Sequence, residues 1–336
     1  MFKRGRKVGL FLILEKNGYQ QATAEAAQET ARRYGIELVV RYAEGLAVQQ
    51  SQDILHFVHE NAGKEIGVLV QPVVDIDPRV ESVGEHALHK LARRVAAKGA
   101  AWIVLNRSAA RHIEALRQEF PLVPAGLFNA DQRGFGLLQG RQFKALLPRG
   151  GHLLYVLGSS LASACRERKA GMVQETAIAG FTIHEVEGGW VADRAREAVH
   201  KWLLRAGVRE VWPGLIGCQN DEMAMGSREA LIRAARDLGR PELAEVLVTG
   251  GDGLPEMGQK WVGDRRLAAT VVMPALGGIA VEALVRHWDG KRTLPVQTVV
   301  PVHSHPAVEH LGRPRATRSA GTSLALRLDD APPGFQ

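Results

Sequence analysis

Short apolar runs alternate with helical segments along most of the chain. Because successive residues in each run are apolar, both faces of the strand must be covered, as in a parallel sheet with helices on each side. The predicted strands are residues 8–14, 36–40, 66–70, 101–105, 153–157, 246–249 and 268–272. Helices are predicted between them, among them residues 20–34, 82–98 and 221–238, each followed by a glycine that can end it. This alternation predicts an α/β protein with doubly wound parallel sheets.

The length of 336 residues exceeds what a single core usually holds. The alternation restarts after residues 128–131, with a new helix and then the strand at 153, so two similar halves are expected. Beyond about residue 305 the alternation fails, and residues 306–336 are expected to form a loosely held tail.

Composition and charge exclude several classes of protein. The net charge of +7 would permit nucleic-acid contact, but Lys and Arg are scattered among acidic residues through most of the chain, so no nucleic-acid partner is expected. No run reaches the roughly 20 apolar residues that span a bilayer, so no membrane insertion is expected. Cys165 and Cys218 are too few for a disulfide framework or a zinc site. The basic start and apolar run 8–14 superficially imitate a secretory signal, but cleavage would remove the first strand, so no signal peptide is predicted.

The most informative segment joins the strand that ends at Cys218 to the helix that follows Asn220. Asn220 and Asp221 place an amide and a carboxylate at the carboxyl end of a buried strand. In open α/β sheets this end of the strands borders the crevice in which small polar molecules bind. The alternative is that either side chain only caps the helix by accepting hydrogen bonds from its free N–H groups. Polar groups recur at nearly every strand-to-helix junction, which favours a binding site.

Three segments, in order along the chain, resemble signatures of one family. They are residues 219–226 (QNDEMAMG), 248–255 (VTGGDGLP) and 267–271 (LAATV). Over roughly residues 7–303 the chain is similar to the type I periplasmic binding proteins, in particular the ribose and galactose binders. It also resembles the related effector domain of lactose-repressor-type regulators.

The resemblance implies two Rossmann-like lobes, joined by a three-segment hinge, that close over a ligand in the cleft between them. One lobe would contain residues 1–130 with 274–297, and the other residues 131–273 with 298–305. Ligand contacts that exist only in the closed form would shift the population toward it. Capture of this kind involves no chemical step, so the protein is not expected to be an enzyme.

The resemblance also assigns the first-lobe residues of the ligand site. Asn17 and Tyr19 follow the first strand, where the family often places an asparagine and an aromatic ring that stacks on a sugar. Tyr19 could equally be a core residue at the start of a helix. Asn106 and Arg107 resemble an acid–arginine pair of the family, with surface salt bridging as the alternative for the arginine.

In the second lobe, Trp190 matches a second aromatic wall and Arg166 resembles a second cleft arginine, with a surface salt bridge as its alternative. Arg168 fits a structural partner and is left outside the expected site. Asp252 would accept hydrogen bonds from ligand hydroxyl groups, unless it only caps a helix. The other expected second-lobe ligand residues are Asn220 and Met273.

Departures from the family pattern argue against a plain ribose or galactose site. Asn106 replaces a common aspartate, and Met273 replaces a glutamine that often contacts a hydroxyl group. Arg107 and Arg166 would then face only Asp252, which leaves an excess of positive charge. We therefore expect an acidic ligand, such as a uronate or another sugar acid.

Other chemistry has weaker support in the sequence. His56 with His59, and His86 with His89, have helical spacing that could hold a metal, but a third ligand is missing. Asp75 and Asp77 are typical of a turn before a proline rather than of a cation site. A dehydrogenase would need a G-x-G-x-x-G turn, and neither residues 8–18 nor residues 157–160 contain one. No cofactor and no metal are expected.

Two roles stay open for a binding protein of this kind. It could deliver its ligand to the permease of an ABC-type importer, or it could be a cytoplasmic sensor that reports its ligand to a signalling protein. A repressor is not expected, because only about six residues precede the first strand, too few for a helix-turn-helix. The expected location is periplasmic if the chain begins at a mature or rebuilt start, and cytoplasmic if Met1 is the natural start.

Overall fold

A computed structural model describes residues 5–73, 86–209 and 211–312. Its strands are β1 (Arg6–Leu12), β2 (Glu37–Tyr42), β3 (Glu65–Val70), β4 (Ala101–Leu105), β5 (Ala125–Ala130), β6 (Gly151–Leu157), β7 (Phe181–Glu187), β8 (Leu215–Cys218), β9 (Leu247–Thr249), β10 (Thr270–Val272), β11 (Gln297–Val300) and β12 (His303–His305). Its α-helices are α1 (Gly18–Tyr34), α2 (Ala47–Glu60), α3 (Ala87–Ala96), α4 (Ala110–Glu119), α5 (Gln132–Leu146), α6 (Ser163–Thr176), α7 (Ala192–Arg209), α8 (Asp221–Asp237), α9 (Lys260–Gly263) and α10 (Leu276–Trp288).

The first lobe is built on a six-stranded parallel sheet in the order β11-β5-β4-β3-β1-β2. One face packs on α2, α3 and α4 through residues such as Phe57 and Ile113, and the other packs on α1 and α10. Gly277 lets α10 approach α1, because a Cβ atom there would lie 2.1 Å from the Thr23 carbonyl oxygen. Helices on both faces explain why the strands are continuously apolar.

The second lobe is built on a parallel sheet in the order β7-β6-β8-β9. Isolated bridges, Thr249 with Ala269 and Asp252 with Val272, link β9 to the β10 segment, and β10 pairs antiparallel with β12. Helices α7 and α8 cover one face of the sheet, and α5 and α6 contribute Phe143 and Met172 to the other. The predicted fold of two doubly wound α/β lobes is confirmed.

The chain passes between the lobes after β5, before α10 and after β11. The last predicted boundary, between residues 297 and 298, is three residues early, because β11 pairs with β5 as far as Val300. Pro301 then ends the strand, since proline has no backbone N–H to donate. The hinge role of these crossings stays a prediction.

The predicted helix 82–98 corresponds to α3, which begins at Ala87, while residues 82–85 lie outside the described part of the chain. Of the predicted tail, residues 306–312 are described and contain the short turn Val308–His310. Residues 313–336 lie outside the described ranges. Across the described ranges, no helix is long and apolar enough to cross a membrane.

Candidate functional site

A cavity lined by both polar and apolar side chains lies between the two lobes, at the carboxyl ends of their strands. Its volume is about 80 Å³, and since one water needs roughly 10–15 Å³, it can hold several waters or a small polar molecule. Most of the predicted ligand-site residues line it, namely Asn17, Tyr19, Asn106, Arg107, Trp190, Asn220, Asp252 and Met273. The sequence pattern therefore brings these side chains together as expected, and their contact with a ligand stays a prediction.

Arg166 does not line the cavity, so its expected place in the ligand site is corrected. Its guanidinium donates to the Leu161 carbonyl oxygen at 2.7 Å, just before α6, and it is partly exposed. Successive residues of an α-helix are about 100° apart, so residues two positions apart point to nearly opposite sides. Arg168, which the sequence analysis left outside the expected site, lines the cavity instead.

Arg168 is 2% exposed and is held by three neighbours. Its Nε donates to Gln132 Oε1 at 2.7 Å, its Nη1 donates to the Gln219 carbonyl oxygen, and its Nη2 lies 2.9 Å from Met273 Sδ. Burial lowers the pKa of Arg168, and the charge of Asp252 opposes that effect. The cation is therefore fixed in orientation beside the cavity.

Two aromatic rings flank the Arg168 guanidinium. Its central carbon lies 3.9 Å from the Phe135 ring centroid and 5.3 Å from that of Trp190. Both distances are within the range of cation–π attraction, which offsets part of the cost of burying the charge. Trp190 thus contacts the buried cation as well as the cavity.

Close packing of α5 on α6 fixes the position of Arg168 relative to the cavity. A Cβ atom on Gly136 would lie 1.9 Å from the Arg168 carbonyl oxygen, and one on Gly171 would lie 2.2 Å from the Arg133 carbonyl oxygen. Since both obstacles are backbone atoms, a side chain at either position would force the helices apart. These two glycines therefore position the guanidinium.

The indole of Trp190 rests on the backbone of Gly158. A Cβ atom on Gly158 would lie 2.1 Å from the ring. The loop holds Trp190 at a φ of 71°, and its carbonyl oxygen accepts a hydrogen bond from Asn220 Nδ2 at 3.2 Å. The position of the Trp190 ring therefore depends on Gly158, which the sequence analysis did not identify as part of the site.

Asp252 is the carboxylate that lines the cavity, and it is 8% exposed. Burial raises its pKa well above the usual range, the Arg168 cation opposes that shift, and Asp221 and Glu222 add to it. Its own backbone carbonyl accepts from the Met273 N–H at 3.0 Å, which orders the loop. The carboxyl group is thus suited to both accepting and donating hydrogen bonds.

Backbone conformation distinguishes this cavity. Among non-glycine residues in the described ranges, positive φ angles occur at Asn106, Trp190, Asp252, Glu44 and Arg265, and the first three line the cavity. Such conformations cost roughly 1–3 kcal/mol each and persist only where the surroundings impose them, often at binding sites. The clustering of three in one cavity identifies it as the candidate site.

Asn220 combines the two roles that its sequence position left open. Its Oδ1 accepts from the Met223 N–H at 2.9 Å, so it caps α8, and the residue also lines the cavity. Asp221 points elsewhere, accepting from Thr270 Oγ1 and the Gly253 N–H, both at 2.7 Å. Burial raises the pKa of Asp221 to about 7. Its role is to hold the 250–253 loop in place.

Side chains of the first lobe line the side of the cavity that faces the second-lobe residues. The Tyr19 hydroxyl donates to the Pro274 carbonyl oxygen at 3.0 Å, and Asn17 caps α1 by accepting from the Gln20 N–H at 3.1 Å. Asn106 Oδ1 accepts from Gln132 Nε2 of the second lobe at 2.6 Å. Burial raises the pKa of Tyr19, so it is a neutral donor.

Sequence reasoning missed part of the lining. The additional residues are Ile13, Leu14, Gln20, Gln71, Ala164 and Arg168. Gln71 directly follows β3, as Asn106 follows β4, so its position after a strand was a usable signal. Among the described residues, the charged side chains in the lining are those of Arg107, Arg168 and Asp252.

Other predicted groups lie away from the cavity. His56 pairs with Glu60 at 3.2 Å, and His86 caps α3 by accepting from the Leu88 N–H. His89 is buried, and its ring packs edge-on against that of His112. No group of three or more potential metal ligands is arranged to hold an ion within the described residues. Asp75 and Asp77 lie outside those residues.

Several solved structures share this fold over nearly their whole length. One is an ABC transporter periplasmic solute binding protein from Actinobacillus succinogenes 130z with bound D-allose, at 20% identity, covering 89% of this chain and 96% of that one, with a TM-score of 0.73. Another is the binding component of the arabinose ABC transporter from Shewanella sp. ANA-3, bound to L-arabinofuranose, at 18% identity, 90% and 93% coverage, and a TM-score of 0.72.

A third similar structure is the fructose-binding periplasmic domain of a hybrid two-component system, at 18% identity, with 89% of each chain covered and a TM-score of 0.70. No curated protein matches the sequence. The family model described as "Periplasmic binding protein domain" matches residues 8–292. Since that match spans most of the chain and the fold agrees, this protein belongs to the periplasmic binding protein domain family, as the sequence motifs predicted.

Proposed function

We propose that this protein captures a small sugar-like molecule between its lobes and delivers it to the permease of an ABC-type importer. The observation that carries the proposal is the cavity at the strand ends, to which both lobes contribute polar side chains. Binding there joins the lobes, so the ligand favours the closed form through contacts that the open form lacks. No chemical step is needed for this role.

The ligand we propose is acidic, such as a uronate or another sugar acid. Among the described residues that line the cavity, two are arginines, Arg107 and Arg168, and one is a carboxylate, Asp252, whose pKa is raised by burial. A guanidinium presents its donors in a planar fork that matches a carboxylate. Arg168 takes the place in the site that the sequence analysis gave to Arg166, so the described lining still contains two arginines.

A thermal-shift comparison of D-galacturonate with D-galactose tests both levels of the proposal. The two sugars differ at one carbon, which carries a carboxylate in the first and a hydroxymethyl group in the second. A ligand at 100 times its Kd adds about 2.7 kcal/mol to the free energy of unfolding, which raises the Tm measurably. We expect stabilisation by galacturonate, with sodium acetate as the control for charge alone.

Neutral sugars that stabilise while sugar acids do not would refute the acidic ligand and keep sugar capture. If no member of a wider panel of monosaccharides, sugar acids and polyols shifts the Tm, sugar capture itself is refuted. Arg107→Gln removes one cation from the lining, and we expect it to weaken galacturonate at least tenfold more than any neutral ligand. This follows from the loss of a hydrogen bond between charged groups.

A role in sensing is the second candidate, since one structure with this fold is a periplasmic domain of a hybrid two-component system. The same cleft would then report its ligand to a signalling protein. Affinity purification of the full natural gene product distinguishes the two roles, because an importer component should retain a permease and a sensor should retain a signalling protein. Fractionation of the same cells tests whether the protein is periplasmic, as expected for an importer component, or cytoplasmic.

A further inference from the structure

The first turns of α1 and α8 meet across the cleft. The Gly18 N–H, in the first turn of α1, donates to Glu222 Oε1, in the first turn of α8, at 2.8 Å. The residues on either side of Gly18, Asn17 and Tyr19, line the cavity. This hydrogen bond therefore ties a second-lobe carboxylate to the backbone that carries part of the first-lobe wall.

Second-lobe side chains pack closely on the backbone at Gly18. A Cβ atom on Gly18 would lie 2.6 Å from Met257 Sδ and 3.5 Å from Leu254 Cδ1, both in the second lobe. The backbone of α1 thus packs directly on the segment before α9. Opening the lobes would separate these surfaces together with the hydrogen bond.

The charge of Glu222 suits this position. Burial raises its pKa, and the hydrogen bond from Gly18 opposes that shift by favouring the carboxylate. The N-terminal ends of α1 and α8 both carry partial positive charge, which a carboxylate between them reduces. In an open form Glu222 would keep only its own helix and water as partners.

Two other contacts join the lobes. Asn106 Oδ1 accepts from Gln132 Nε2, next to the crossing that follows β5, and Ser108 bonds to residues of α6. The Ser108 hydroxyl bonds to Glu167, and its N–H donates to Ser163 Oγ at 3.2 Å. The Ser108 to Glu167 bond is exposed to solvent, whereas Glu222 is only partly exposed. Because water competes less at a shielded site, the Glu222 contact should contribute more to closure.

We infer that Glu222 is a positioning residue that latches the lobes together and fixes the first turn of α1 against the cavity. The inference rests on the proposed closure of the lobes but not on the identity of the ligand. It predicts that losing Glu222 favours the open form even in ligand-free protein.

The test measures the distance between the lobes in ligand-free protein by double electron–electron resonance. Spin labels are placed at Val48→Cys and Leu161→Cys, which are 71% and 77% exposed and lie in different lobes. Cys165 and Cys218 are buried. We expect Glu222→Ala to reduce the ratio of short-distance to long-distance populations about tenfold, the order expected for losing one hydrogen bond to a charged group.

Two further variants sharpen the comparison. Glu222→Gln keeps an oxygen that can accept from Gly18, so it should retain more of the short-distance population than Glu222→Ala. Glu229→Ala removes a carboxylate from the same helix whose partner, Arg196 at 3.2 Å, lies in the same lobe, so it should match wild type.

A distance distribution that Glu222→Ala leaves unchanged overturns the inference, as does equal opening by Glu229→Ala or by Glu222→Gln. These results are independent of the sugar-binding test. If galacturonate binds and the distances do not respond to Glu222, only the latch is refuted. If the distances respond and no sugar or sugar acid binds, the proposed ligand class fails while the latch stands.

Discussion

Protonation of His112 should destabilise the first lobe in mild acid. His112 is 9% exposed, its Nδ1 has no hydrogen-bond partner among the described residues, and its ring packs edge-on against those of His86 and His89. Burial, together with repulsion from the other two histidines, lowers its pKa to about 4. The folded protein therefore keeps this ring neutral at pH values where an unfolded chain would bind a proton.

The size and the pH range of the effect follow from that shift. Above about pH 6.5 the ring is neutral in both states, so it causes no pH dependence. Between about pH 6.5 and 4 only the unfolded state takes up the proton, and the free energy of unfolding falls. At 1.36 kcal/mol per pKa unit, the full loss is about 3 kcal/mol.

His112→Phe isolates this contribution. A phenyl ring keeps the edge-on packing, and the described part of the chain makes no hydrogen bond to Nδ1 that the substitution would remove. Urea unfolding followed by circular dichroism at pH 7.5 and 4.5 gives the free energy for each protein. We expect the variant to lose less stability than wild type between these values, by about 2 kcal/mol or more. Equal losses in the two proteins would refute the pKa shift of His112.

Other substitutions test the site. Gly158→Ala should push the Trp190 ring away from the backbone of residue 158. We expect a change in tryptophan fluorescence and a loss of about 1–3 kcal/mol in the free energy of unfolding measured in urea. Arg166→Ala should change stability by about 0.5 kcal/mol or less, whereas Arg168→Ala should cost about 2 kcal/mol or more, because it leaves the buried Gln132 Oε1 and the Gln219 carbonyl oxygen without the donor that Arg168 supplies. Comparable losses in these two variants would contradict the inward placement of residue 168. Gly136→Ala should lower the Tm by forcing α5 from α6, and an unchanged thermal melt would refute that packing.

The fold could be predicted because a continuous run of apolar residues indicates a strand that is buried on both faces. Strands whose sequences are not continuously apolar were missed. β7 is an edge strand whose residues are mostly partly or fully exposed, and β5 contains small residues and an asparagine. β11 lies at the other edge and is only four residues long, so its membership in the first sheet depends on pairing with a distant strand.

The site could be predicted as far as its residues follow strand ends. That rule, with the family resemblance, located Asn106, Asn220 and Asp252 at the cavity. It failed for Arg166 and Arg168, because the rotation of α6 relative to the cleft is set by glycines that pack it on α5. These contacts join Gly136 to Arg168 and Gly171 to Arg133, which are 32 and 38 residues apart, and no local pattern in the chain specifies them.

The positive φ angles at Asn106, Trp190 and Asp252 bear on how this cleft can diversify. The three residues lie on three separate loops, so the contour of the cavity is set largely by main-chain shape. Residues at these positions can be substituted without changing the loop conformation, provided that the new residue tolerates a left-handed backbone conformation. Asparagine, aspartate and glycine meet that condition most readily. New ligand preferences can therefore arise from only a few residue types at these three positions. Lining residues such as Met273, which have no positive φ, can be replaced by many residue types.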